Sequence, residues 1–140
     1  MFLNNSFGRT VDLLHRAMDV SMLRRNVIAD NLANADTPNF KRSTINFESQ
    51  LKRAFESQTP PALEAKMSRE RHISFHQPID PKSVGPRRVL DYLSQTDANG
   101  NNVDIEEESI HMLKNQLNYQ LLTQVIASRF NSITMVTRTQ

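Results

Sequence analysis

His72 and His76 stand four residues apart, a spacing at which two imidazoles can open a metal site. No third ligand stands nearby, and the intervening Ile-Ser-Phe suits a strand, so the pair is read as surface or edge histidines. The run Asp97-Ala-Asn99-Gly100-Asn101-Asn102-Val103-Asp104 has the oxygen-rich look of a calcium loop, but its glycine comes fourth where that loop needs it sixth. A turn at Asn99-Gly100 followed by a helix N-cap at Asp104 accounts for it. Glu106, Glu107 and Glu108 could do acid–base chemistry only if held in an apolar pocket. Their place just after Asp104 is instead a solvated helix start, where free N–H groups and the helix dipole favour carboxylates, and Asp104 with Glu107 makes a capping-box pattern. His15 and His111 have no companion nucleophile or acid.

The chain of 140 residues has no cysteine and three glycines. Disulfides, cysteine-ligated metals and thiol nucleophiles are therefore excluded. A glycine-rich phosphate cradle is hard to build from so few glycines, and neither a nucleophile elbow nor an H-E-x-x-H motif occurs. The sequence reads as that of a non-enzyme with no cofactor and no metal. Net charge is +2 but unevenly distributed: ten basic against five acidic residues in 41–90, none against six in 91–109, three against none in 110–140. The basic residues are spread through the middle of the chain instead of being gathered on one element, so nucleic acid is not an expected partner. No apolar run approaches the roughly 20 residues needed to span a bilayer, and MFLNNSFGRT lacks the apolar core of a signal peptide, so neither membrane insertion nor signal cleavage is expected.

Two long elements position these residues. Phe7, Val11, Leu14, Met18, Ser21, Arg25, Ile28 and Leu32 recur at steps of four and three, which predicts a helix over 6–34. Its end is marked by Asn34, a candidate for the left-handed C-terminal position, and by Pro38, with a turn at 36–40. Residues 41–103 are polar and interrupted by prolines. They read as largely irregular, with a short helix at 47–57 and weak strands at His72–His76 and Arg88–Leu93. From Ile105 to about Val136 a second long helix carries two apolar rows: Met112, Tyr119, Ile126, Ile133, and Ile110, Leu113, Leu117, Leu121, Val125. The expected fold is mainly α: a segment 1–40 with helix and turn, a weakly structured 41–103, and a C-terminal helix in 104–140, the two helices forming a coiled-coil-like pair. Two helices leave much of such broad apolar faces uncovered, which points to neighbouring subunits.

The most distinctive dozen is Ala29-Asp30-Asn31-Leu32-Ala33-Asn34-Ala35-Asp36-Thr37-Pro38-Asn39-Phe40. It resembles the N-terminal signature of the bacterial flagellar axial proteins, Ala-x-Asn-Leu/Ile-Ala-Asn-x-x-Thr-Pro/x-Gly-Phe/Tyr, and looks most like the small proximal members of the basal-body rod family. Asn99-Gly100-Asn101-x-Val103-Asp104 and Asn115-x-Leu117-x-Tyr119 are similar to the family's second signature. Together the similar segments cover roughly 10–56 and 97–136. One departure is Asn39 in place of the usual Gly; Asn is the next best residue for positive φ.

The resemblance implies a structural subunit exported by the flagellar type III apparatus without signal cleavage and assembled in the periplasmic rod of the basal body. Its implied partners are other copies of itself, other rod subunits, the ring or adapter protein at the rod base, and the export apparatus. Subunit contacts are then expected from Phe7, Val11, Leu14, Met18, Ile28 and Leu32 on the first helix. On the second they are expected from Ile110, Leu113, Leu117, Tyr119, Leu121, Ile126 and Ile133. Phe7 and Val11 also resemble an element that early export substrates present to the export gate. Another small rod protein of the same assembly and a cytoplasmic helical adaptor or export chaperone are the alternative readings.

Overall fold

A computed structural model describes residues 6–59, 69, 71, 77–94, 96 and 99–138. The elements run α1 (Ser6–Ala33), β1 (Ser43–Asn46), α2 (Glu48–Ser57), a 3-10 turn at Pro81–Ser83, β2 (Arg87–Leu90) and α3 (Ile105–Arg138). The protein is mainly helical, and α1 packs on α3. The first helix ends one residue before the expected boundary and the last runs two residues beyond it. His72–His76, expected as a strand, lies outside the described residues. The Arg88–Leu93 strand is realised as β2, one residue earlier at its start and shorter at its end. It pairs with β1, which forms where the sequence predicts a loop. In β1 the inward positions are Ser43 and Ile45 and the outward one is Thr44, a two-residue period too short to stand out beside polar neighbours.

The chain divides into two compact units. One comprises Asn46–Arg88 and holds α2, whose Ala54 is buried, as is Phe47 just before it. Here the Ser57 hydroxyl accepts from the Ile79 amide at 2.9 Å, and Gln58 Nε2 donates to the Ile79 carbonyl at 2.8 Å.

The other unit is formed by the chain up to Ile45 and from Val89 on. Its helices, of 28 and 34 residues, are about 42 and 51 Å long at 1.5 Å per residue. They run antiparallel, for Phe7 meets Phe130, Ser21 meets Asn115 and Asn31 meets Glu108. Val20, Val27 and Ile28 of α1, with Ala35, Ile45 and Val103, are its buried apolar residues among those described. The two buried residues of α3 are both polar, Glu108 and Asn115. No described helix is long and apolar enough to cross a membrane.

Candidate functional site

The conspicuous site is a junction of polar side chains where α1 ends and α3 begins. Asn31, fully buried in the last turn of α1, donates through Nδ2 to the Ser43 carbonyl at 2.9 Å and accepts from the Ser43 amide at 3.0 Å. Its side-chain amide thus pairs with one residue of β1 as a neighbouring strand would. The same Nδ2 reaches Glu108 Oε2 at 3.1 Å, and Arg42 Nε lies 2.5 Å from Glu108 Oε1. A carboxylate held 1% exposed is tolerable only with such compensation. The expectation of three solvated glutamates is therefore corrected: Glu106 and Glu107 are exposed, but Glu108 falls on the face of α3 turned toward α1.

The helix start is half as expected. Asp104 Oδ1 accepts from the amides of Glu106 and Glu107 at 2.9 and 3.2 Å, a true N-cap. Glu107 does not return the bond to residue 104. Its carboxylate points to Arg42 Nη1 at 3.3 Å and His111 Nε2 at 3.2 Å, where it finds a charged partner.

Asn101 ties the α1 terminus to the start of α3. Its Nδ2 donates to the carbonyls of Asn34, Ala35 and Thr37 at 3.0, 2.7 and 2.9 Å, and its Oδ1 accepts from the Val103 amide at 2.7 Å. These carbonyls lie at the helix end and in the turn beyond, where the helical hydrogen-bond ladder gives out. Asn34 was expected to close the helix in the left-handed conformation. It has no positive φ; its side chain bonds the Asp30 carbonyl at 2.8 Å, and the positive φ falls on Asn39 at 60°. Asn39 thus does what the family's glycine would do. Its amide donates to the Asn99 carbonyl at 3.2 Å, opposite Gly100, whose φ is 81°. A Cβ on Gly100 would come within 2.7 Å of Asn39 Oδ1 and push that side chain aside, and the positive φ itself favours glycine.

Asn102, also buried, accepts from the Arg42 amide at 2.6 Å and donates to the Asp91 carbonyl at 2.7 Å and to Ser94 Oγ at 3.1 Å. The Ser94 hydroxyl, aided by the Leu93 and Ser94 amides, holds the Asp91 carboxyl below the usual carboxylate range. The run that looked like a metal loop thus spends Asn101, Asn102 and Asp104 on protein groups; Asp97, like His72 and His76, lies outside the described residues. Midway along the helices Ser21 Oγ donates to Asn115 Oδ1 at 2.8 Å, and Asn115 Nδ2 donates to the Ser21 carbonyl at 2.9 Å.

Of the residues expected at subunit contacts, Ile28 is buried within the chain, while Phe7, Val11, Leu14, Met18, Leu32, Tyr119 and Ile126 are half-buried. Ile110, Leu113, Leu117 and Leu121 form a row in which every side chain is more than half exposed, and Ile133 is also exposed. Among the signature residues Asn31 is buried, Asn34 and Phe40 are half-buried, and Ala29, Ala33, Thr37 and Pro38 face outward. Sequence reasoning missed Ser43 and Asn102, and named Asn101 and Asn115 within the resemblance without a structural role. For the three asparagines the signal was an uncharged amide; Ser43 carried none.

The sequence that builds this pair of terminal helices, amide-rich lock and open apolar row matches a known family. Residues 21–41, which hold Asn31 and the turn, match the family model described as flagella basal body rod protein. Over 132 residues the chain is 47% identical to the flagellar basal body rod protein FlgB of Borreliella burgdorferi, covering 94% of this chain and 98% of that one. The FlgB of Bacillus subtilis is 32% identical over 130 residues, covering 93% of this chain and 94% of its own length. The chain belongs to the FlgB family of flagellar basal body rod proteins. It is a structural subunit of the basal-body rod.

Proposed function

We propose that the chain polymerises in the proximal rod through the row Ile110, Leu113, Leu117 and Leu121, with Ile133 and the outer edge of α1 continuing the contact. The observation that carries this reading is that row. It lies on a helix whose inner side is already fixed by Asn115 and Glu108, so it cannot turn inward to bury itself. Completing the burial of four half-exposed aliphatic side chains contributes about 1 kcal/mol each, enough to drive heterologous contacts that continue as a helical array. The neighbours are copies of this chain, other rod subunits and the protein at the rod base. The assembled site is the periplasmic rod, reached through the flagellar export apparatus, and no catalytic step is involved.

Export is part of the same reading. Phe7 sits edge to face on Phe130, ring centroids 6.3 Å apart. A gate that takes Phe7 and Val11 therefore engages the chain only before its helices pair.

The test is Leu121→Asp in a cell lacking its own copy. The variant is exported and its purified form melts within about 0.5 kcal/mol of the parent, as exposed substitutions do, yet no rod forms and the cells are non-motile. Normal motility contradicts the assignment. Retention in the cytoplasm as a stable dimer favours the adaptor reading.

A further inference from the structure

A cleft of about 300 Å³ lies beside the polar junction, walled by α1, β1 and α3. Arg24, Arg42, His111 and Lys114 line it, with Glu108 as its one acid. Arg42 is committed to Glu107 and Glu108, and His111 faces Glu107. Lys114 is exposed and has no carboxylate partner among the described residues. Ser43, 2% exposed, also lines the cleft, and its hydroxyl has no hydrogen-bond partner among the described residues. A buried hydroxyl left over in a cationic wall is a donor waiting for an acceptor, directly or through a bridging water.

The complementary surface is on the same molecule. Asp12, Asp19 and Asp30 are exposed on α1 and separated by seven and eleven residues, about two and three helical turns, so they share one outer face. Asp12 and Asp19 make no ion pair among the described residues.

We propose that the Arg24–Arg42–Lys114 cleft of one copy receives the aspartate face of α1 of the next, centred on Asp19. Such a contact joins two different patches, so it can repeat from copy to copy along a helical array. It rests on the polymerisation reading and adds a polar contact to it. The apolar row supplies affinity that is indifferent to small slips, whereas a carboxylate in a cationic cleft fixes the orientation of one subunit on another.

The absence of native cysteine makes the test direct. Two full-length copies are co-expressed in a cell lacking its own, one carrying His15→Cys, a turn from Asp19, and the other Asn118→Cys on the cleft wall, and mild oxidation is followed on a non-reducing gel. A second pair, Leu117→Cys in one copy with Met22→Cys, exposed on α1, in the other, reports the apolar row. A disulfide-linked dimer from the first pair is the expected result. Cross-linking by the second pair alone overturns this proposal and leaves polymerisation standing; cross-linking by neither removes both. In the second arm Lys114→Glu and Asp19→Lys each lower the assembled fraction about tenfold, and the two together in one chain restore it. A double variant as poor as the singles, with each folded by circular dichroism, also overturns the proposal.

Discussion

Replacing Asn101 with alanine removes the side chain that clamps the end of α1 to the segment before α3. Its amide nitrogen contacts three carbonyls, of Asn34, Ala35 and Thr37. With two hydrogens to give, it supplies two full bonds and shares one of them. A third bond is accepted from the Val103 amide. Truncation frees four backbone groups, but their fates differ. The contacts to Asn34 and Thr37 are only part-buried, so water can replace the amide there. Those to Ala35 and Val103 are buried and stay dry. Two dry groups at about 1–3 kcal/mol each give a loss of about 2–6 kcal/mol. That is a large part of the stability of a domain this size.

The assay is urea unfolding of the full chain followed by far-ultraviolet circular dichroism, in which the midpoint falls while the slope is unchanged. Asn101→Asp is the informative control. It keeps the volume and the acceptor for Val103 but turns a carboxylate toward three carbonyls, so it costs at least as much as alanine. A loss below about 1 kcal/mol for alanine, or a milder effect for aspartate, refutes the reasoning that the donor side of Asn101 holds the junction.

Glu108→Ala leaves Arg42 and Asn31 facing a void and lowers stability by about 3 kcal/mol, whereas Glu108→Gln, which still accepts, loses less; thermal melts of both variants decide. Gly100→Ala strains a backbone at φ 81° and drives a Cβ to 2.7 Å from Asn39 Oδ1, costing about 1–2 kcal/mol by the same melt, and a neutral outcome contradicts the close approach. Amide exchange in the unassembled chain is slowest around Val27–Asn31 and Glu108–Asn115 and fastest over 128–138, where no side chain is buried, and uniform protection along α3 contradicts this gradient.

The sequence reveals the helices because each carries a long period: Phe7 to Leu32 in α1, interrupted only at Ser21 and Arg25, and Met112 to Ile133 in α3. Their boundaries follow from Pro38 and Asp104, whose backbone chemistry is local. The junction was less legible because its bonds are long in sequence. Nothing within ten residues of Asn31 shows that Ser43 and Glu108 will meet it, and Glu108 looks like its neighbours Glu106 and Glu107 until the helix phase relative to α1 is known. Asn101 illustrates the same limit. Beside Asn99-Gly100 it reads as one more turn amide, and its three carbonyl partners lie more than sixty residues away. The gathering of amides was visible in the sequence; their partners were not.

The buried polar groups and the exposed apolar row are two sides of one arrangement. Leucine-rich helices with residues at steps of three and four can slide by a turn, about 5.4 Å, and meet similar neighbours again. The Ser21–Asn115 and Asn31–Glu108 contacts cannot. A slip of one turn leaves Glu108 and Asn115 dry and unpaired, while Asn31 keeps only Ser43, at about 1–3 kcal/mol for a neutral group and more for the charge. An apolar seam of the same area would bind as well but would permit several registers. Because α3 is held in one register and one rotation, Ile110, Leu113, Leu117 and Leu121 always emerge on the same side, in step with the cleft beside Arg42. For a subunit that must present the same surface to every neighbour, polar residues within the helix pair define the apolar surface outside it.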